Sequence, residues 1–200
     1  MVPRAPILVE AAPVGTAARV WVLDPAHTLV EFSVRHMMIA TVKGRFRAVE
    51  GLVRFDAADP AGSTVSVRIA ADTIDTGIPA RDAHLRSADF FDVESHPRLE
   101  FVSRSVEGFT GGVGESFRVH GDLTVRGTTR PVTLQAVYGG RVVDPDGEVH
   151  LGFSAGTRVD RRAFGLTWNQ ALEAGGLLVG NDVNIELQVE LTEAVSQEAG

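Results

Sequence analysis

Apolar and polar residues alternate along most of this chain with a period of two, which in an extended strand sends successive side chains to opposite faces of a sheet. The clearest run closes the chain: Val183, Ile185, Leu187, Val189 and Leu191 fall in one register, while Asn184, Glu186, Gln188, Glu190 and Thr192 fall in the other. No helical face would sort them so. The same sorting places Val30, Phe32 and Val34 against Glu31, Ser33 and Arg35, and Phe117, Val119, Leu123 and Val125 against Arg118, His120, Asp122 and Thr124. Shorter segments repeat it at Val65 to Ile69, Arg98 to Phe101, Val132 to Ala136 and Leu151 to Ala155. Between Phe46 and Phe55 the parity flips, and Gly51 is the expected site of the bulge.

Turn chemistry separates these runs: Asp24-Pro25, Asp59-Pro60-Ala61-Gly62, Gly111 to Gly114, Gly127 to Pro131 and Asp144-Pro145-Asp146-Gly147. Neighbouring strands are therefore expected to pair antiparallel. One segment, Pro79 to Ser87, reads as helix, with proline suited to its first turn and no β-branched residue inside; a shorter turn is placed around Met37 to Thr41. Eight or nine one-sided strands must close on themselves or stack on a second sheet, and periodicity leaves both barrel and sandwich open.

The chain has 200 residues, enough for one domain with a real core. The Ala- and Pro-rich residues 1–18 are expected to form a disordered extension, 19–194 the domain, and 195–200 a flexible tail. There are no cysteines, which removes disulfides, thiolate catalysis and cysteine-ligated metals. Net charge is −7 and the pI near 5.3, so long-range electrostatics disfavour nucleic acid and anionic membrane surfaces. No stretch approaches the roughly 18 to 20 apolar residues of a membrane-spanning helix. The first residues lack the layout of a secretory signal, which places the protein in the cytoplasm as an expectation.

Candidate chemistry is sparse. His27, His36, His84, His96, His120 and His150 have no spacing typical of a zinc or iron site, so no metal is assigned. No Gly-x-Ser-x-Gly element occurs, and the glycines at 111–114 lead into a strand without the Lys and Ser or Thr of a phosphate loop. His36 shares parity with Phe32 and Val34 and is expected near one rim of the dry side, either contacting a ligand or satisfied as a core histidine. Arg81, Asp82 and His84 sit on the helix near Phe90-Phe91, as a polar rim above an apolar plug or as a structural ion-pair group.

Ordered blocks of residues then resemble a known family. They are Asp24-Pro25-Ala26-His27, Val30 to Met38 and Gly44-Arg45-Phe46; Ile74-Asp75-Thr76, Arg81 to Leu85, Asp89 to Asp92 and His96-Pro97; and Gly121 to Gly127 with Arg161-Arg162-Ala163-Phe164-Gly165. Over roughly residues 19 to 194 the chain resembles the YceI-like family. The resemblance implies an all-β fold, an antiparallel eight-stranded lipocalin-like barrel with one or two short helices closing an end, and a cavity for polyisoprenoid lipid. Many members are exported behind a signal peptide; the polar, alanine-rich start here departs from that pattern, so periplasmic roles are not transferred.

If such a cavity exists, alternation assigns its lining to Phe32, Val34, Phe46, Val67, Ile69, Phe101, Leu123, Leu134 and Phe153, with His36 at the rim. Head-group contacts fall to Arg81, His84 or Arg161. A buried methylene is worth about 0.8 kcal/mol and a neutral hydrogen bond about 1 kcal/mol net, so chain length is discriminated better than head group. The leading expectation is a non-catalytic carrier or store for a polyisoprenoid, a quinone precursor or a prenyl phosphate, acting as monomer or homodimer with no cofactor. Two alternatives stand beside it: an enzyme on such a lipid with His36 or His84 as acid or base, and a solid-cored module that binds a protein partner.

Overall fold

The structure, a computed structural model, describes residues 19–55, 59–171 and 177–194. The expected extension at 1–18 and tail at 195–200 lie outside the described residues. Eleven strands form one sheet: β1 (Arg19–Leu23), β2 (Leu29–His36), β3 (Ala40–Phe46), β4 (Val49–Phe55), β5 (Thr64–Ala70), β6 (Ile74–Asp75), β7 (Arg98–Glu107), β8 (Ser116–Val125), β9 (Thr128–Val143), β10 (Val149–Asp160) and β11 (Val179–Glu193). One helix, α1 (Pro79–Arg86), interrupts them.

Every pairing is antiparallel, and the sheet closes. β11 pairs with β10 along one edge and with both β1 and β2 along the other, Leu191 opposite Leu23 and Leu187 opposite Val30. β1 and β2 share one strand position, interrupted at Asp24-Pro25; β3 with β4, and β5 with β6, share two more. The result is a closed eight-stranded antiparallel barrel with one short helix, which decides between barrel and sandwich. Closure removes the exposed edges that one-sided strands would otherwise leave.

The parity flip is not at Gly51. β4 runs in unbroken register with β5, Gly51 facing Val67, and the dislocation falls at Arg47-Ala48 between β3 and β4. There Thr73 Oγ1 accepts both the Arg47 and Ala48 amides, at 3.2 and 3.3 Å, which supplies the bonds the ladder cannot. Gly51 instead faces inward, where a Cβ would stand 2.8 Å from Leu23 Cδ1.

The two ends of the barrel are closed differently. At the end where β1 begins, Trp21 and Tyr138 are fully buried, and the rings of Phe55, Phe109, Phe117, Tyr138 and Phe153 pack with centroids 4.6 to 6.4 Å apart. At the opposite end α1 and the segments after it form a lid. Arg81 donates to Thr76 Oγ1 at 2.7 Å and to the Thr76 carbonyl at 2.8 Å, and the buried Asp82 carboxylate accepts the Thr76 amide and hydroxyl. Arg86 reaches the Asp72 and Ile74 carbonyls, and Arg126 reaches those of Ala88 and Gly165. Helix and loop are thereby tied to the strand ends beneath them.

Candidate functional site

Inward side chains do not meet in the middle. Between the aromatic plug and the lid lies a cavity of about 300 Å³ whose exposed lining is almost wholly carbon. Val183, Ile185, Leu187 and Val189 point inward yet are only half-buried, because no protein atom covers their inner faces. Such a space is within the size of small-molecule sites and about twice that of an engineered apolar cavity that stays dry and admits benzene. Water gains little here, since it would need two to four polar partners that the walls do not offer.

All nine apolar residues assigned by alternation wall this cavity: Phe32, Val34, Phe46, Val67, Ile69, Phe101, Leu123, Leu134 and Phe153. Period two could find them because each strand turns one face to the interior. It could not find the lid, whose contributions, Leu85, Phe90, Phe91, Phe164 and Leu166, come from a helix and irregular segments with no alternation. Gly44 shapes the wall by having no side chain: a Cβ there would stand 2.4 Å from Phe32 Cζ and 2.8 Å from Thr76 Cγ2. Its bare backbone lets the Phe32 ring lie across β3, where it meets Phe46 at 5.8 Å.

The polar candidates divide. Arg161 walls the cavity, is 6% exposed, and donates to four carbonyls: Gly180 (2.8 Å), Leu166 (2.6 Å), Trp168 (2.9 Å) and Val179 (3.4 Å). Desolvation pulls its pKa below the usual arginine value, against the pull of neighbouring Asp160. No carboxylate bonds to it among the described residues, since Asp160 is engaged by Arg162. Arg81 does not reach the cavity, because its donors are committed to Thr76. His84 does not reach it either: its Nε2 lies 2.8 Å from Asp89 Oδ2, and its ring stands edge-on to Phe90 and Trp168 on the outer side of the lid. His36 pairs with Ala40 and Val179 at the end of β2, one step past the wall residue Val34.

Folding also gathers titratable groups around Glu190. On the outer face near the plugged end, His27 Nδ1 lies 2.6 Å from Asp24 and 3.7 Å from Glu190, while His150 lies 2.8 Å from Glu190 and 3.3 Å from Asp144. Strand pairing brings Glu190 to both histidines, whereas His27–Asp24 is a local contact three residues apart and His150–Asp144 closes across the β9–β10 hairpin. For His150, desolvation opposes protonation, yet Asp144 and Glu190 together raise its pKa; Asp24 holds that of His27 up as well. Mutual hydrogen bonds account for this arrangement.

The family model of the YceI-like domain matches residues 21–191. A UPF0312 protein of Staphylococcus aureus (strain USA300) is 35% identical over 170 residues, covering 84% of this chain and 95% of that protein, and one of Staphylococcus epidermidis is 31% identical over the same length. Among solved structures, Burkholderia cenocepacia BcnA superposes with a TM-score of 0.71 at 22% identity, covering 84% of this chain and 98% of that one. The Campylobacter jejuni YCEI protein gives 0.66 at 27% identity, covering 80% and 90% of the respective chains. A polyisoprenoid binding domain from Saccharophagus degradans gives 0.63 at 14% identity, covering 87% and 98%.

Proposed function

The chain belongs to the YceI-like family, and from that premise we propose that it holds a long apolar molecule of the polyisoprenoid class inside its barrel, as a non-catalytic carrier or store. The observation that carries this reading is the carbon-lined cavity that the inward side chains leave between plug and lid. A solid-cored interaction module would have no such space. Left empty, a void of this size forgoes about 7 kcal/mol of packing at roughly 24 cal/mol per Å³, as much as the whole stability of many domains. An apolar occupant recovers part of that.

We read the polar end of the ligand as lying toward Arg161, which with Glu31 is one of the two charged residues in the cavity wall and the one at the lidded end. Its contact to Val179, at 3.4 Å, is the longest of its four, so the terminal nitrogen making it is the least engaged. The reading as a carrier rather than an enzyme is supported by the positions of His36 and His84, the acid and base candidates, neither of which walls the cavity.

The test is mass spectrometry of an organic extract of gently purified protein, paired with thermal melting of the delipidated chain. The expected result is an isoprenoid in the extract and a rise in Tm on adding one, because a ligand bound only to the folded state stabilises it. An extract without any apolar molecule, together with an unmoved Tm across a series of prenyl alcohols, would contradict the proposal.

A further inference from the structure

The lidded end carries a feature that neither the fold nor the cavity requires. The β2–β3 hairpin turns through Met37, Met38 and Ile39, which are 40%, 68% and 80% exposed. Met38 and Ile39 are the two most exposed large apolar side chains among the described residues. Met37 and Met38 also hold φ at 49° and 65°, the left-handed region that tight hairpin turns ordinarily give to Gly, Asn or Asp. A turn built only to reverse the chain would use those residues.

The hairpin is held in place. Arg35 donates to the Met38 carbonyl at 2.7 Å and to Thr41 Oγ1 at 3.3 Å, and the Met37 amide donates to the Leu178 carbonyl at 2.8 Å. That last bond sets the tip beside Leu177, itself 41% exposed. The cavity ends just below: Val34 and Val179 wall it, and Val179 pairs with His36 at the base of the turn.

Charge is distributed unevenly along the barrel. Exposed Arg35, Lys43, Arg98 and Arg130 lie toward the hairpin end, and none is in an ion pair among the described residues. Glu107, Glu115, Asp144, Glu148 and Glu193 lie at the plugged end. Exposed acids also occur at the lidded end, Asp72, Asp89, Glu94 and Asp182, and Arg19, Arg54 and Arg118 at the plugged end, but the exposed charges on the hairpin strands beside the tip are the cations Arg35 and Lys43. The expectation from net charge alone, that anionic membranes are disfavoured, does not describe this end of the molecule.

We propose that the hairpin tip Met37-Met38-Ile39, flanked by Arg35 and Lys43, docks the lidded end of the barrel on an anionic lipid bilayer. Apolar side chains enter the acyl boundary while cations meet the headgroups, the two-signal arrangement by which peripheral proteins hold a membrane surface reversibly. The acidic far end is left facing water. The inference rests on the cavity holding a membrane-derived lipid, because docking in this orientation brings the cavity's lidded end to the leaflet that supplies it.

Flotation of the full chain with phosphatidylcholine vesicles, with and without phosphatidylglycerol, tests this. Binding to the anionic vesicles alone is expected, weakened by salt, and at least about tenfold weaker in M38D/I39D, since burying a large apolar side chain is worth tenfold or more. Farnesol binding in vesicle-free solution is the second readout, expected to be equal in wild type and variant, which also shows that the variant folds. Unchanged vesicle binding by the variant overturns the proposal. Wild type that binds farnesol but no vesicles overturns it while leaving the cavity reading standing; loss of both overturns both. Sedimentation that shows a wild-type dimer made monomeric by M38D/I39D, without vesicle binding, assigns the tip to a second copy of the chain and overturns it too.

Discussion

Arg161 is a positive charge taken almost entirely out of water, and every hydrogen bond it makes ends on a backbone carbonyl. Those carbonyls belong to the stretch 166–168 and to the start of β11, which the Asn169 side chain also ties together through Val179. The guanidinium fork suits the task, since one side chain presents five donors in a fixed plane. Replacing it with Met would keep much of the volume and strand the Gly180, Leu166 and Trp168 carbonyls, Val179 keeping its bond from Asn169 Nδ2, at a cost of about 3 kcal/mol or more in chemical denaturation. A loss below about 1 kcal/mol would show that water already serves those carbonyls. The sequence marked Arg161 through a family block and gave no sign of its acceptors, because they are main-chain atoms that any residue could supply.

Strands were legible because each has one wet and one dry side, so β2, β8 and β11 emerge from alternation nearly whole. Pairing was not legible: nothing in residues 183–191 says that β11 must serve β1, β2 and β10 together. A glycine attracts a bulge assignment, so the chain alone points to Gly51 for the break that lies at Arg47-Ala48, whose stabilising partner, Thr73, is 25 residues away from Ala48. Long-range pairing also explains the histidine cluster, where β11 brings Glu190 to both His27 and His150. The raised pKa of His150 gives stability that is complete below its ordinary value of 6.5 and lost as pH climbs through the folded value. The lowered pKa of Asp24 and Asp144 gives stability present above 3.8 and lost on acidification. Denaturation of His150→Gln against wild type is therefore expected to show its largest deficit between about pH 4 and 6.5, shrinking above neutrality. A deficit that grows with alkaline pH would contradict the sign.

As a whole, the molecule is a tube stoppered with aromatic rings at one end, covered by α1 and its neighbours at the other, and unfilled between. Residues such as Val67 and Leu134 could be assigned to the interior from the chain alone. Whether the interior was solid could not, because alternation describes a face and not the distance to the face opposite. A ligand-holding role depends on that distance. Native mass spectrometry of the delipidated chain with geranylgeraniol, run on wild type and on a variant carrying Val67→Trp and Leu134→Trp, measures it most directly. One lipid per wild-type chain is expected, and none on the filled variant, with a melting temperature for the empty variant at or above that of empty wild type. A folded variant that takes up the lipid as well as wild type, or a wild type that takes up none, would contradict the claim that the hollow is what the protein uses.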